Sequence, residues 1–163
     1  MNDFRLSLSL LACFALNGCA KTNSPGNVTN EDFRPIVEKE IEAAIRGYFG
    51  GFTTSTCENV SPVSKFIRDD MIFVTEKDIF TIPIEDYEHG LRERICSWAR
   101  HTGVINSIKV DVLGRDVGVE AWLYDDTVFL KSGETSRTKG SVLMTLVRDG
   151  EGWKITSAMQ IAD

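Results

Sequence analysis

The chain has 163 residues, 42% of them hydrophobic and 26% charged, with a net charge of −6. That is an ordinary globular composition, neither disordered nor fibrous, and long enough for one domain with a real core. Lys and Arg form no run anywhere. An acidic chain without a basic stripe repels phosphate, so no nucleic-acid partner is expected; attachment to anionic lipid would have to rest on acyl chains.

Arg5 is followed by eleven residues, Leu6 to Leu16, that are apolar except for two serines. The length suits a signal-peptide core and falls short of a helix spanning ~30 Å of hydrocarbon. The run ends in Leu16-Asn17-Gly18-Cys19, which resembles the lipobox of bacterial lipoproteins. The resemblance implies a signal peptide over 1–18 and a lipidated Cys19 as mature N-terminus, with the bilayer as a partner through its acyl anchor. Ala20 stands where many inner-membrane lipoproteins of proteobacteria carry Asp, so the implied location is the periplasmic side of the outer membrane. Cleavage behind Ala20 is the alternative and gives a secreted or periplasmic protein. Residues 19–30 are polar, contain Pro25 and Gly26, and read as a flexible tether.

The folded domain is expected over 31–163. Asp32 is a natural N-cap with Pro35 in the first turn. Val37, Ile41, Ala44, Ile45, Tyr48 and Phe52 then recur at helical spacing, and Gly50-Gly51 supplies a stop. Ser61-Pro62 opens a short second helix running to about Phe66. Met71 to Thr75 and Ile79 to Ile82 form a hairpin around a Glu-Lys-Asp turn. A third helix carries Tyr87, Leu91, Ile95, Trp98 and Ala99 on one face, with His101 in its last turn and Gly103 beyond.

The remainder is strand: Val104 to Leu113, Val117 to Lys131 with a bend around Asp125-Asp126, Ser141 to Arg148, and a last strand after the Asp149-Gly150-Glu151-Gly152 turn. In that last strand Trp153, Ile155, Ser157, Met159 and Ile161 fall on one face. Lys154, Thr156, Ala158 and Gln160 fall on the other.

With Cys13 in the leader and Cys19 lipidated, Cys57 and Cys96 remain. An even pair in an oxidising compartment suggests a disulfide; two buried thiols on an apolar stripe are the other reading. Neither a Cys-x-x-Cys nor a Cys/His ligand spacing is present, so no metal and no cofactor is expected.

This order of elements, α+β overall, resembles the nuclear transport factor two-like fold, and within it the SnoaL-like group. The words that carry the resemblance are Val142-Leu143-Met144-Thr145-Leu146-Val147-Arg148, the acidic-glycine turn, and Gly152-Trp153-Lys154-Ile155. It implies three helices packed in a curved, mainly antiparallel sheet, forming a cone whose mouth holds an apolar ligand. It also implies a homodimer through the outer sheet face, which the pattern above assigns to Lys154, Thr156, Ala158 and Gln160.

Members resembling ketosteroid isomerase need a carboxylate base and acids that stabilise an oxyanion. Tyr48 falls near the tyrosine such members carry on the first helix and is the ligand-pocket candidate. The two carboxylate positions fall near Thr75 and Leu143, which are inert, so no catalytic residue is assigned. Glu76 and Asp78 read as solvated turn charges, and Asp69-Asp70 and Asp125-Asp126 as turns or strand ends. His89 and His101 stand too far apart along one helix to share a metal. Two functions stay open: a non-catalytic domain holding a small apolar molecule or a partner protein, and an isomerase, cyclase or dehydratase. A buried Asp, Glu or His facing Tyr48 would favour the enzyme.

Overall fold

The computed structural model describes residues 33–75 and 78–162. The leader, Cys19, the tether, the Asp32 cap and Glu76 lie outside the described residues. Helix α1 spans Arg34–Thr54, the short α2 Ser61–Ser64 and α3 Ile84–Ser97; strands β1 to β6 span Ile67–Val74, Ile79–Pro83, Trp98–Val112, Val117–Leu130, Thr135–Asp149 and Gly152–Ala162. They form one sheet in the order β2-β1-β6-β5-β4-β3. Every neighbouring pair is antiparallel except β1 with β6, which is parallel.

The helical stripe of α1 packs on the inner face of this sheet. Ile41 and Ile45 are wholly buried, against a core that includes Met71, Trp122, Met144, Leu146 and Ile155. Burying each isoleucine contributes roughly 2–3 kcal/mol. The opposite face of the helix carries the exposed Glu42–Arg46 pair. The helix does not stop at Gly50-Gly51 but continues to Thr54. Gly51 serves close packing instead: a Cβ there would sit 2.5 Å from the Pro62 carbonyl oxygen. At the far end Glu40 accepts hydrogen bonds from Arg148 and from the Trp153 indole, tying α1 to the β5–β6 hairpin. That hairpin's turn is held by Asp149, which accepts from the amides of Glu151 and Gly152, the latter at φ +132°.

Three boundaries differ from expectation, each because sheet pairing prevails over local pattern. Strand β1 begins at Ile67, ahead of its apolar run, because it pairs with Ile155 of β6. Helix α3 ends at Ser97, so Trp98, Ala99 and His101 belong to β3, whose pairing with β4 starts at Trp98–Leu130. Gly103 therefore lies inside a strand, where its missing side chain makes room for the Phe49 ring. Asp125-Asp126 does not break β4, which pairs with β5 at every residue from Val117 to Phe129; the one irregularity nearby is a bulge in β3 between Ile105 and Ser107.

The fourth difference reverses a face. A bulge at Thr156, between the Thr145–Ser157 and Leu146–Ile155 pairs, inserts one residue into β6. Beyond it Ala158 turns inward and is buried, and Gln160 reaches the Tyr124 hydroxyl at 2.6 Å. Neither lies on the outer face assigned to them above. That face is formed by Met159 and Ile161 beside Leu123 and Leu143, the last three of which are 42–50% exposed.

Candidate functional site

Strand β4 decides the chemistry of the interior. Alternation places Glu120, Trp122, Tyr124 and Asp126 on its inner face. The first three are buried, Glu120 at 1% exposure. Neither Glu120 carboxyl oxygen has a hydrogen-bond partner, and neither does the Trp122 indole N–H. Burial pushes the Glu120 carboxyl up to about 8, an effect that the nearby Trp122 side chain offsets only in part. A carboxyl so placed stays protonated near neutral pH, since ionising it there has a large desolvation cost.

The interior also holds two phenols from different helices. Tyr48 of α1 and Tyr87 of α3 share a hydrogen bond of 3.1 Å between their hydroxyls. Burial raises both pKa values, Tyr48 most strongly, and the bond itself raises Tyr48 while lowering Tyr87. The charge of Glu120 also raises Tyr48, and Arg94 lowers both phenols, so these four groups are electrostatically coupled. Tyr48 thus lies in the interior with its hydroxyl partnered, and the buried Glu120 is near enough for its charge to act on it.

A second polar centre lies near the mouth. Asp126 is roughly 20 Å further along β4 than Glu120, six residues at strand rise. It approaches the His101 Nε2 to 2.5 Å without hydrogen-bond alignment, and the His101 Nδ1 has no partner. The imidazole, only 4% exposed, stacks on Trp98 at 5.0 Å between ring centres and touches Phe52 at 6.0 Å. A cavity of about 420 Å³ opens here, lined by Phe52, Trp98, His101 and charged residues at its rim. Phe52 also meets the Tyr48 ring edge-on at 5.4 Å, so it borders both this cavity and Tyr48. Cys57 and Cys96 are bonded, with Cα atoms 4.9 Å apart, and Cys57 lines the same cavity.

Other carboxylates and histidines flagged by the sequence stand apart. His89 is exposed beside Glu93, Asp70 pairs with Arg68 and Asp125 with Lys139. Asp78 caps its own turn, bonding Thr75 and Ile79. Leu143 lies on the outer face. Among the described residues no group of three or more His, Cys, Asp or Glu converges as a metal cage, and no helix is long and apolar enough to cross a membrane.

By sequence, no protein-family model matches the chain and no curated protein matches it. By structure, many solved proteins do. A scytalone dehydratase-like protein of Novosphingobium aromaticivorans superposes with a TM-score of 0.71 over 81% of this chain and 87% of its own, at 12% identity. A nuclear transport factor two-like protein of Salmonella enterica gives 0.65 over 78% and 92%, at 15% identity. The fold is nuclear transport factor two-like. A dehydratase-like protein of the same structural family from Streptomyces avermitilis gives 0.61 over 75% and 93%, at 11% identity. Identities this low carry the fold and nothing finer.

Glu120, Tyr87 as a partner for Tyr48, and the His101–Asp126 contact were all missed as functional groups. Glu120 had a visible signal, being a charged residue between Gly118 and Trp122 on the inner alternation of β4. The phenol pair and the His101–Asp126 contact had none, because they depend on how α3 and β3 dock.

Proposed function

We propose that the cone holds a proton-transfer site, and that the protein is an isomerase or dehydratase acting on a small hydrophobic carbonyl compound. The observation that carries this is Glu120, a buried carboxyl within electrostatic reach of Tyr48, one of two hydrogen-bonded phenols. With a pKa of about 8, roughly one molecule in ten is ionised at pH 7. That fraction is a strong base, because burial strips its charge of solvent and the Trp122 side chain offsets that only in part. The carboxylate takes a proton from the carbon next to the carbonyl, and the electron pair moves onto the carbonyl oxygen. One phenol of the Tyr48–Tyr87 pair donates a hydrogen bond to that oxygen as charge develops, while the other donates to its partner. Glu120 then returns the proton, either to another carbon, completing an isomerisation, or to a β-hydroxyl that leaves as water. Relatives with dehydratase-like names direct the search to the same class of chemistry.

The test is deuterium exchange at the α-carbon of 2-tetralone, a neutral planar ketone, followed by NMR. The wild type should accelerate exchange above buffer, and Glu120→Gln should abolish the acceleration. Equal rates in buffer, wild type and variant would overturn the reading in favour of a non-catalytic holder of an apolar molecule or partner protein.

The lipobox supports a further part of the proposal, that this enzyme is exported and anchored through Cys19 on the periplasmic side of the outer membrane. Cys19→Ser should then release it from the membrane fraction. A variant that stays membrane-bound with unchanged mass would contradict the anchor.

A further inference from the structure

We propose that the Trp122 indole N–H is the donor that receives the Glu120 carboxylate when that group loses its proton, which makes Trp122 a positioning residue for the site. The two residues stand two apart on β4, so both point to the inner face. Both are buried, at 4% exposure for Trp122 and 1% for Glu120. Each leaves polar atoms unused: the indole N–H has no acceptor, and neither carboxyl oxygen has a donor. A donor and an acceptor orphaned on neighbouring inward positions complement each other, and each alone in an apolar interior is costly.

The surrounding sheet positions offer no other partner. Val110 and Met144 pair directly with Glu120, Ile108 and Val142 with Trp122, and Val112 and Leu146 with Gly118. All six are apolar, so their side chains can neither donate to a carboxylate nor carry a charge. From the helices, Tyr48 lies within electrostatic reach of Glu120, but its hydroxyl is already bonded to Tyr87, and Arg94 acts on both phenols. The indole N–H is the unused donor among these groups. It already opposes, in part, the effect of burial on Glu120.

The indole is also held by its neighbours. Phe49 of α1 meets it edge-on at 5.2 Å, and Tyr124 of its own strand lies 5.6 Å away between ring centres. The glutamate, with its longer and more flexible side chain, is the partner that moves. While protonated it needs no donor; once ionised, one oxygen accepts a charge-assisted bond from the fixed N–H. The other oxygen stays open to take the substrate proton. Describing Glu120 as a base rests on the acid–base reading above; the hydrogen bond does not.

Proton–nitrogen NMR of the indole groups in the purified protein tests the bond without any substrate. The Trp122 signal, identified by its absence in Trp122→Phe, should move downfield as pH rises, with the same midpoint as the Glu120 carboxyl. In Glu120→Gln it should stay fixed. Trp122→Phe keeps an aromatic ring and removes the N–H; it should raise the Glu120 midpoint by about one pH unit, a roughly ten-fold smaller ionised fraction at pH 7. The pH profile of 2-tetralone exchange should move upward by the same unit. A role in packing alone would lower stability and leave both midpoints where they are. An indole signal that ignores pH, or a Glu120 midpoint in Trp122→Phe at or below that of the wild type, would overturn the proposal. If the indole follows Glu120 and no 2-tetralone exchange occurs, the hydrogen bond stands and only the enzymatic reading falls.

Discussion

Replacing Glu120 by Gln should make the protein more stable, not less. The glutamine keeps the shape and inherits the same missing hydrogen-bond partners, so the main change is that it never ionises. In the folded chain burial holds the Glu120 proton up to about 8, against an ordinary value near 4.5. Below pH 4.5 both folded and unfolded chains keep the proton, and stability is at its full value. Between 4.5 and 8 only the unfolded chain releases it, so stability falls as pH rises, and it levels above 8. At 1.36 kcal/mol per decade of pH, the loss is about 3 kcal/mol by pH 7 and about 5 kcal/mol above pH 8. Glu120→Gln removes that slope and should gain about 3 kcal/mol at pH 7. Urea unfolding of both proteins from pH 5 to 9 isolates the effect, since all other titrating groups cancel in the difference. Parallel profiles, or a variant less stable at pH 7, would refute the reasoning.

Tyr48→Phe leaves the Tyr87 hydroxyl without its partner at 3.1 Å; it should cost about 1–2 kcal/mol in urea and slow 2-tetralone exchange roughly 100-fold. Unchanged exchange would reduce Tyr48 to packing. Cys57 and Cys96, 39 residues apart, should contribute about 4 kcal/mol as a disulfide in the chain-entropy model, lost on reduction or in Cys57→Ser with Cys96→Ser. An unfolding midpoint insensitive to reductant would contradict it. The apolar outer face, with Leu123 50%, Leu143 42% and Ile161 44% exposed, should pair two copies. Light scattering at micromolar concentration should then show twice the chain mass, falling to one in Leu143→Asp; a monomeric wild type would remove the idea.

Local pattern was readable wherever one face of an element is buried along its whole length. The α1 stripe from Val37 to Phe52 and the Asp149–Gly152 turn needed nothing beyond the chain itself. Where pattern failed, a non-local contact had prevailed. Trp98 and Ala99 continue the α3 spacing, yet strand pairing to Leu130 takes them into β3 and carries His101 from a helix end to the cavity wall. The bulge at Thr156 is invisible in an alternating sequence, and it exchanges Ala158 and Gln160 with Met159 and Ile161 between faces. The site was legible in one half only. Tyr48 follows from helical spacing, and Glu120 is marked by a charge on an apolar alternation. That Tyr87 meets Tyr48, 39 residues away, depends on how α1 and α3 dock on the sheet.

The central claim is that Glu120 carries a proton at neutral pH inside the cone. Carbon-13 labelling of glutamate side chains, with the Glu120 resonance assigned by its absence in Glu120→Gln, follows that proton directly. The account predicts a carboxyl signal that titrates with a midpoint near 8, well separated from the solvent-exposed glutamates. A midpoint between 4 and 5 would contradict it.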